Sequence, residues 1–593
     1  MKRVLYLMIF LGFFGSTFSQ KGDKPNVILI LTDDQGIGDI GCHGNAYIQT
    51  PNLDAFYKQS VRMTDFHVSP LCAPTRGAIM TGRYPINNGV WATYKGRDAL
   101  FDGAPTMADM FKQNGYTTAM FGKWHLGDNY PVRATDCGFD HAVFHKAGGV
   151  GELSDYWGNS YFDDTYYVNN KPQQFEGYCT DVWFNETIKF IKENKNKPFF
   201  IYLPTNAPHS PLIVDEKYAA PYRSEVGKNI YSAEFYGMIT NIDENFGKLE
   251  EFLKEMDLAD NTILIFTTDN GSGNGVSKDG KIGYNMGFSG KKGSKLDGGH
   301  RVPFFIRWKD GKIKGGKDIR ELTAHVDLIP TLAGLCKLKV PKTMELDGLD
   351  FSPLLRKESE NLQPRNVYVH HRQDWRPPMD IEQTCIMQDD WRLLNGKQLY
   401  NIKDDRKQKN NVANEQRELV MQMLNANQEF LAKAKENTEY NEFTCNLIGY
   451  PAQEEVTLSI QHAIGEDGGI WKAEQVCAGK RNKNNTHAIK VERDGKYQIE
   501  CCRWPKECSG PVWGIPSENP KGMYTYQTIH PEKVRIRVAN KILEKAITEK
   551  DEAVTFTVDL EKGKTLLVND FIEGKQNYGV YYTYIKYLGS NNL

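Results

Sequence analysis

The stretch Asn26 to Gly36 reads N-V-I-L-I-L-T-D-D-Q-G. Asn26 to Leu31 is a continuous apolar run rich in β-branched residues, the pattern of a parallel strand buried on both faces. It ends in Thr32-Asp33-Asp34-Gln35-Gly36, which puts two carboxylates at the carboxyl end of a buried strand. Charges there are costly unless they are paired or bind a metal. In open α/β sheets ligands gather at that edge, and such a pair suits a hard divalent cation with oxygen ligands. The plainer alternative is a solvated Asp-Asp turn.

Three further segments repeat the strand-then-loop pattern. Tyr116 to Phe121 runs into Gly122-Lys123-Trp124-His125-Leu126-Gly127, where Lys123 and His125 point the same way in extended backbone. They suit oxyanion binding and proton transfer. Pro198 to Leu203 is followed by Asn206-Ala207-Pro208-His209-Ser210-Pro211, with His209 in a loop held by prolines. Thr262 to Phe266 ends in Thr267-Thr268-Asp269-Asn270-Gly271. Asp33, Asp34, Asp269 and Asn270 then form an all-oxygen set suited to Ca²⁺ or Mg²⁺. Helical patterns over Thr106–Asn114, Thr180–Glu193 and Ser232–Asp257 alternate with the strands, which predicts an α/β fold. Between them, Leu71 to Arg83 reads L-C-A-P-T-R-G-A-I-M-T-G-R. Pro74 suits the first turn of a helix, so a helix is expected over about Thr75–Thr81. Its N-terminus beside Arg76 would create an anion site at Cys72 and lower the thiol pKa. The alternative is a buried cysteine beside a surface arginine.

C-A-P-T-R followed by T-G-R resembles the signature of the type I sulfatases. G-I-G-D-I-G-C-H-G-N with T-P-N-L-D, then G-K-W-H-L-G, then G-K-K-G-S-K-L-D-G-G-H-R-V-P (Gly290–Pro303) resemble further strings of that family, in its order, over roughly residues 24 to 438. The resemblance implies an alkaline-phosphatase-like sulfatase fold, a mixed, largely parallel sheet between helices with a small antiparallel C-terminal subdomain. It implies that a formylglycine-generating maturation enzyme oxidises Cys72 to formylglycine (3-oxoalanine), whose hydrated aldehyde is the nucleophile. It also implies one Ca²⁺, with Mg²⁺ as the other option, held by Asp33, Asp34, Asp269, Asn270 and residue 72. In that scheme Asp269 helps deprotonate the nucleophile, and Arg76, Lys123 and Lys292 neutralise the sulfuryl oxygens. His209, helped by Lys292, protonates the leaving alcohol, and His125 takes the proton of the second hydroxyl. The family's spacing selects Lys292, with Lys291 and Lys295 open by proximity. Asn270 stands where phosphodiesterase relatives usually carry a histidine, which favours a single metal. Asp297 stands where a glutamate is more usual.

At 593 residues the chain is too long for one core, and two or three domains are expected. A formal net charge of −2 argues against nucleic-acid binding. Met1 to Ser19 reads as a targeting segment, with Lys2 and Arg3 before the short apolar run Val4 to Phe14. That run is too short to span a bilayer, and no later stretch of about 18 apolar residues exists, so export to the periplasm or medium without a stable membrane anchor is expected. Eleven cysteines permit disulfides, and some pairing is expected among Cys445, Cys477, Cys501, Cys502 and Cys508.

Cys137 to Tyr167 is rich in glycine and aromatics and lacks periodicity, so it reads as a long functional loop. Tyr156, Trp157 and Tyr161 in it either stack on sugar faces or form a satellite hydrophobic cluster. A catalytic domain over residues 24–355 is followed by a subdomain over 356–438, where Val367–Trp375, Trp391–Leu394 and Gln398–Ile402 suggest a small antiparallel sheet before a long helix. His370, His371, Arg372 and Trp375 there either reach a bound glycan or are simple surface. Residues 440–593 turn to period-2 alternation, as in Val534–Val538 and Tyr578–Tyr587, with a hairpin-type turn at Asp494-Gly495. A β-sandwich is expected, and D-G-K-Y-Q-I and R-W-P-K-E resemble the accessory domain of some bacterial polysaccharide sulfatases. The expected substrate is a sulfated polysaccharide or its oligosaccharides, algal glycans such as ulvan, fucoidan or carrageenan first and glycosaminoglycans second. Aryl sulfates, phosphoesters or phosphonates on the same scaffold, and a catalytically silent sulfated-glycan binder, are the alternatives.

Overall fold

The computed structural model describes residues 24–378 and 380–590, so the targeting segment expected at Met1–Ser19 lies outside the described residues. Strand Asn26–Thr32 anchors the large sheet. Val27, Leu29 and Leu31 enter one apolar cluster and Ile28 and Ile30 another, so both faces are covered as the composition requires. Helices Cys72–Thr81, Met107–Gln113 and Leu328–Cys336 pack on the first face, and Pro51–Gln59, Cys179–Asn194 and Ala233–Glu255 on the second.

Among the described residues the sheet has ten strands. Phe199–Pro204 and Thr262–Thr268 flank Asn26–Thr32 in parallel. Thr117–Lys123 and His141–His145 continue the parallel set on one side, and antiparallel Phe304–Arg307 lies on the other. His141–His145 and Thr165–Val168 are strands inside the stretch expected to be a loop. They are too short to show a period in sequence, and pairing with the existing edge makes them regular. The helix expected from Thr75 begins at Cys72, with Pro74 still in the first turn, where N–H groups lack helical partners in any case.

Strands Val367–His370, Thr384–Gln388, Trp391–Leu394 and Gln398–Asn401 form the small antiparallel sheet, and helix Arg417–Ala434 follows it. The first strand stops at His370 instead of reaching Trp375. Beyond residue 440 two sheets enclose one core that includes Ile489, Tyr497, Val534 and Phe571. Asp494-Gly495 is not a hairpin turn. Thr486–Val491 pairs within one sheet and Gly495–Cys502 within the other, so the chain crosses the sandwich there. The expected disulfides are absent too, since all eleven cysteines are free. Cys477, Cys501, Cys502 and Cys508 are buried in the sandwich core, where a thiol packs as a small apolar group.

Two buried polar knots tie these parts together. Arg392, on the small sheet, donates to Asp297 Oδ1 at 3.1 Å and to Asp65 Oδ1 at 3.0 Å. Arg301 pairs with Asp297 at 3.0 Å and Asp65 at 2.6 Å, closing a buried set of two carboxylates and two guanidiniums. The second knot is His462 of the sandwich, whose Nδ1 lies 2.7 Å from Asp98 and whose Nε2 lies 3.4 Å from Asp128 and 2.9 Å from Ser154 Oγ. Burial alone would lower the His462 pKa, but Asp98 and Asp128 hold it well above the usual imidazole range.

Removing one partner of a buried ion set leaves an uncompensated charge, so Asp297→Asn should cost about 3–5 kcal/mol in urea unfolding. A cost within experimental error would show that the knot contributes nothing to stability. Because the folded pKa of His462 is raised, its contribution is complete below the unfolded value of about 6.5 and fades as pH rises through the folded value. The Tm deficit of His462→Gln should therefore be largest in acid and shrink toward alkaline pH. A deficit constant across that range would contradict the charge assignment.

Candidate active site

The parallel register opposes Thr32 to Thr268, so Asp33-Asp34 and Asp269-Asn270 leave adjacent strands side by side. All four residues are buried. Each carboxylate meets its own cation. Lys123 Nζ is 2.5 Å from Asp33 Oδ2, Lys292 Nζ is 2.7 Å from Asp34 Oδ1, and Arg76 Nη2 is 2.7 Å from Asp269 Oδ2. Burial opposes the Asp34 charge, yet Lys292, His209 and Asn270 hold it well below the usual carboxylate range. Asp269 is raised to about 6 by burial and by the neighbouring Asp33 charge, against Arg76 and Lys123. Lys291 Nζ instead binds Val276 O, and Lys295 binds Glu382 O, so of the three lysines Lys292 is the one that meets the acidic group.

Cys72 opens its helix against this group and is only 3% exposed. Burial pushes its thiol up, against Lys123 and Lys292, so the lowered pKa expected from the helix start and Arg76 does not hold. Arg76 is committed to Asp269 and to the Lys123 carbonyl at 3.0 Å. Gly122 has φ 124°, and a Cβ there would meet Pro204 O at 2.0 Å; glycine thus lets the strand close on its neighbour just before Lys123.

The two histidines are oriented by backbone carbonyls. His125 Nε2 lies 3.1 Å from Thr93 O, which puts the proton on Nε2 and leaves the buried Nδ1 without a partner among the described residues. Its pKa is driven well down by burial and by Lys123 and Arg76. His209 Nδ1 lies 2.6 Å from Ser210 O, and its Nε2 sits 3.9 Å from Asp34 Oδ2. Burial and Lys292 lower its pKa to about 3. The residues around the acidic group fit a hard cation, because Asp33 Oδ1 and Asn270 Oδ1 are buried oxygens with no hydrogen-bond donor among the described residues. Asp33, Asp34 and His209 have ligand atoms within 4.8 Å of one another. A second grouping, Asp65, His67 and Asp297, is filled by the Arg301 and Arg392 guanidiniums and is structural.

The residues expected to meet a glycan fare differently. Trp157 is buried against Trp504 and Tyr524 in the sandwich core, and Tyr161 is fully buried, so neither offers a face to a sugar. Tyr156, beside Trp157 on the same turn, does not line the cleft over Cys72. His370 is buried in a stack with Phe430, Arg372 is held by Gln383 and Asp374, and Trp375 packs near Phe443. None of these, nor His371, lines that cleft. Gln373 does, hydrogen-bonded to Thr93. The cleft, of about 440 Å³, also takes in Tyr94, Glu152, Gln461, Trp471 and Lys472, none of which carries a motif.

The sulfatase family model matches residues 25–338, and that described as N-sulphoglucosamine sulphohydrolase, C-terminal, matches residues 291–435. Steryl-sulfatase of Homo sapiens is 29% identical over 442 residues, covering 60% of this chain and 74% of that protein. N-acetylgalactosamine-6-sulfatase of Homo sapiens is 30% identical over 355 residues, covering 56% of this chain and 66% of that protein. The crystal structure of Ps i-CgsB in complex with k-i-k-neocarrahexaose aligns with a TM-score of 0.62 at 29% identity, covering 71% of this chain and 95% of that one. Phosphonate monoester hydrolase of Agrobacterium radiobacter, 21% identical with a TM-score of 0.52 over 70% of this chain and 96% of that one, shares the fold. The sulfatase match takes in more than half the chain and every residue of the acidic group from Asp33 to Lys292, and the chain therefore belongs to the sulfatase family and is a sulfuric ester hydrolase.

Proposed function

We propose that this chain removes sulfate from a sulfated glycan oligosaccharide, with residue 72 matured to formylglycine by a dedicated enzyme and one Ca²⁺ at the acidic group. The observation that carries the reading is charge balance. Three buried carboxylates are matched by Arg76, Lys123 and Lys292, and two buried oxygens lack donors. A divalent cation held by Asp33, Asp34, Asp269 and Asn270 would leave the group net positive, the condition for drawing in a sulfate ester. When bound, that cation would neutralise charge on the sulfuryl oxygens.

The hydrated aldehyde would supply the nucleophilic hydroxyl in place of a thiol that burial keeps protonated. Asp269, a buried carboxylate of the same group, would share that hydroxyl's proton. Lys123 and Lys292 orient the ester's anionic oxygens. His209 presents Nε2 inward and becomes an acid for the leaving alcohol once an anion beside it offsets Lys292. His125, neutral with a free Nδ1, takes the proton of the second hydroxyl, so that the bond from carbon to the sulfated oxygen breaks, sulfate leaves and the aldehyde returns. Export rests on the composition of Met1–Ser19. A carrageenan-type oligosaccharide is the first substrate to test, since the 29% identical relative holds neocarrahexaose, with ulvan, fucoidan and glycosaminoglycan fragments next.

Peptide mass spectrometry of protein made with the maturation enzyme should show oxygen in place of H₂S at Cys72. Fully active protein carrying an intact thiol would sink the nucleophile. Elemental analysis should find a single calcium or magnesium ion per chain, and two zinc ions would point to phosphoester chemistry instead. His125→Ala should lower kcat by roughly 10²–10⁴-fold on a sulfate ester while leaving the Tm near wild type, and Lys292→Ala should lower kcat by a similar factor and also lower the Tm, because it leaves Asp34 a buried carboxylate without its cation. Losses below tenfold would remove those residues from the chemistry.

A further inference from the structure

The cleft over Cys72 has a wall that lies outside both matched family spans, which end at residues 338 and 435. Gln461, Trp471 and Lys472 come from the sandwich and line the cleft together with Tyr94. Their backbone is fixed against the catalytic domain. Leu153 N donates to Trp471 O at 2.9 Å, and Lys472 forms an antiparallel bridge with Glu152. Gln461 Nε2 donates to Glu152 Oε2 at 2.7 Å, and the same oxygen accepts from Gly148 N at 3.1 Å. Gly148 in turn lies directly against the His125 ring, where a Cβ would come within 2.7 Å of it. The sandwich is thus joined through one carboxylate to the loop that supports His125.

The Trp471 and Tyr94 rings are partly exposed, 6.1 Å apart and inclined at 43°, forming an open aromatic corner. Lys472 is exposed, and among the described residues its ammonium has no ion pair. We infer that the sandwich supplies an outer subsite, in which the Trp471–Tyr94 corner receives the sugar unit next to the one losing sulfate and Lys472 pairs with a sulfate or carboxylate on that unit. Aromatic rings offer a flat apolar surface to sugar C–H faces, and an ammonium on a flexible stem is a point charge able to follow an anion. This deepens the glycan reading proposed above and rests on it. It assigns the sandwich a part in selecting oligosaccharides over small sulfate esters.

The test uses the full chain. In a Cys72→Ala background, which binds without turnover, calorimetry is run with hexasaccharides from carrageenan, ulvan and heparin. Trp471→Ala and Lys472→Ala should each weaken the best-bound hexasaccharide about tenfold, and Trp471→Phe should recover most of the Trp471 loss. In the matured enzyme the ratio of kcat/KM on that hexasaccharide to kcat/KM on 4-nitrophenyl sulfate should fall about tenfold, chiefly through KM. Unchanged hexasaccharide binding overturns the subsite, as does an unchanged selectivity ratio or failure of the parent protein to bind any of the three. If hexasaccharide binding depends on Trp471 and Lys472 but no sulfate ester is cleaved, the subsite stands and the catalytic reading falls.

Discussion

The register between Asn26–Thr32 and Thr262–Thr268 is the constraint on which the site depends. It places three carboxylates at one sheet edge in a volume that excludes bulk water, and buried charges of one sign are tolerated only when paired. The three cations come from three different places, the helix Cys72–Thr81, the strand Thr117–Lys123 and the loop at Lys292. No part of this set is stable in position without the others. Folding of the sheet and assembly of the site are for that reason one event, and the orphan oxygens of Asp33 and Asn270 remain as its unfinished valence.

The central strands and their chemistry were legible because each signal is local. A β-branched run buried on both faces announces itself in six residues, and the residues that follow it inherit the sheet edge. Cys72 and Lys292 needed family spacing, and of the three lysines Lys292 lies on Asp34 while Lys291 and Lys295 bind backbone carbonyls. What stayed hidden depends on contacts far apart in the chain. Glu152 means little without Gln461, three hundred residues away. The aromatic loop could equally have been a sugar platform or core. Trp504 and Tyr524 decide for core, and they belong to another part of the chain. Asp494-Gly495 has the composition of a hairpin turn, but only the pairing partners of the flanking strands show that it joins two sheets.

The sandwich does not hang from the catalytic part by a single strap. Tyr582 donates to Leu153 O, Asn129 reaches Asn446 and Thr457, and Lys521 meets Asp164, in addition to the His462 knot. The contacts at Leu153, Ser154 and Asp164 fall on the loop between Gly148 and Asp164, which both parts of the chain share. A segment with few secondary-structure bonds of its own acquires the rigidity of two cores.

The burial of Cys72 has a consequence in time. Ala73, Pro74 and Arg76 are as deeply enclosed as the cysteine, at 0% exposure for Ala73 and Arg76. Any enzyme that edits this cysteine by reading its neighbours needs an extended peptide, and the folded chain offers none. Under the maturation proposed above, modification and folding would compete for the same segment. A molecule that closed its sheet first would keep its thiol until it unfolded, and a preparation would then hold two populations that differ by one functional group.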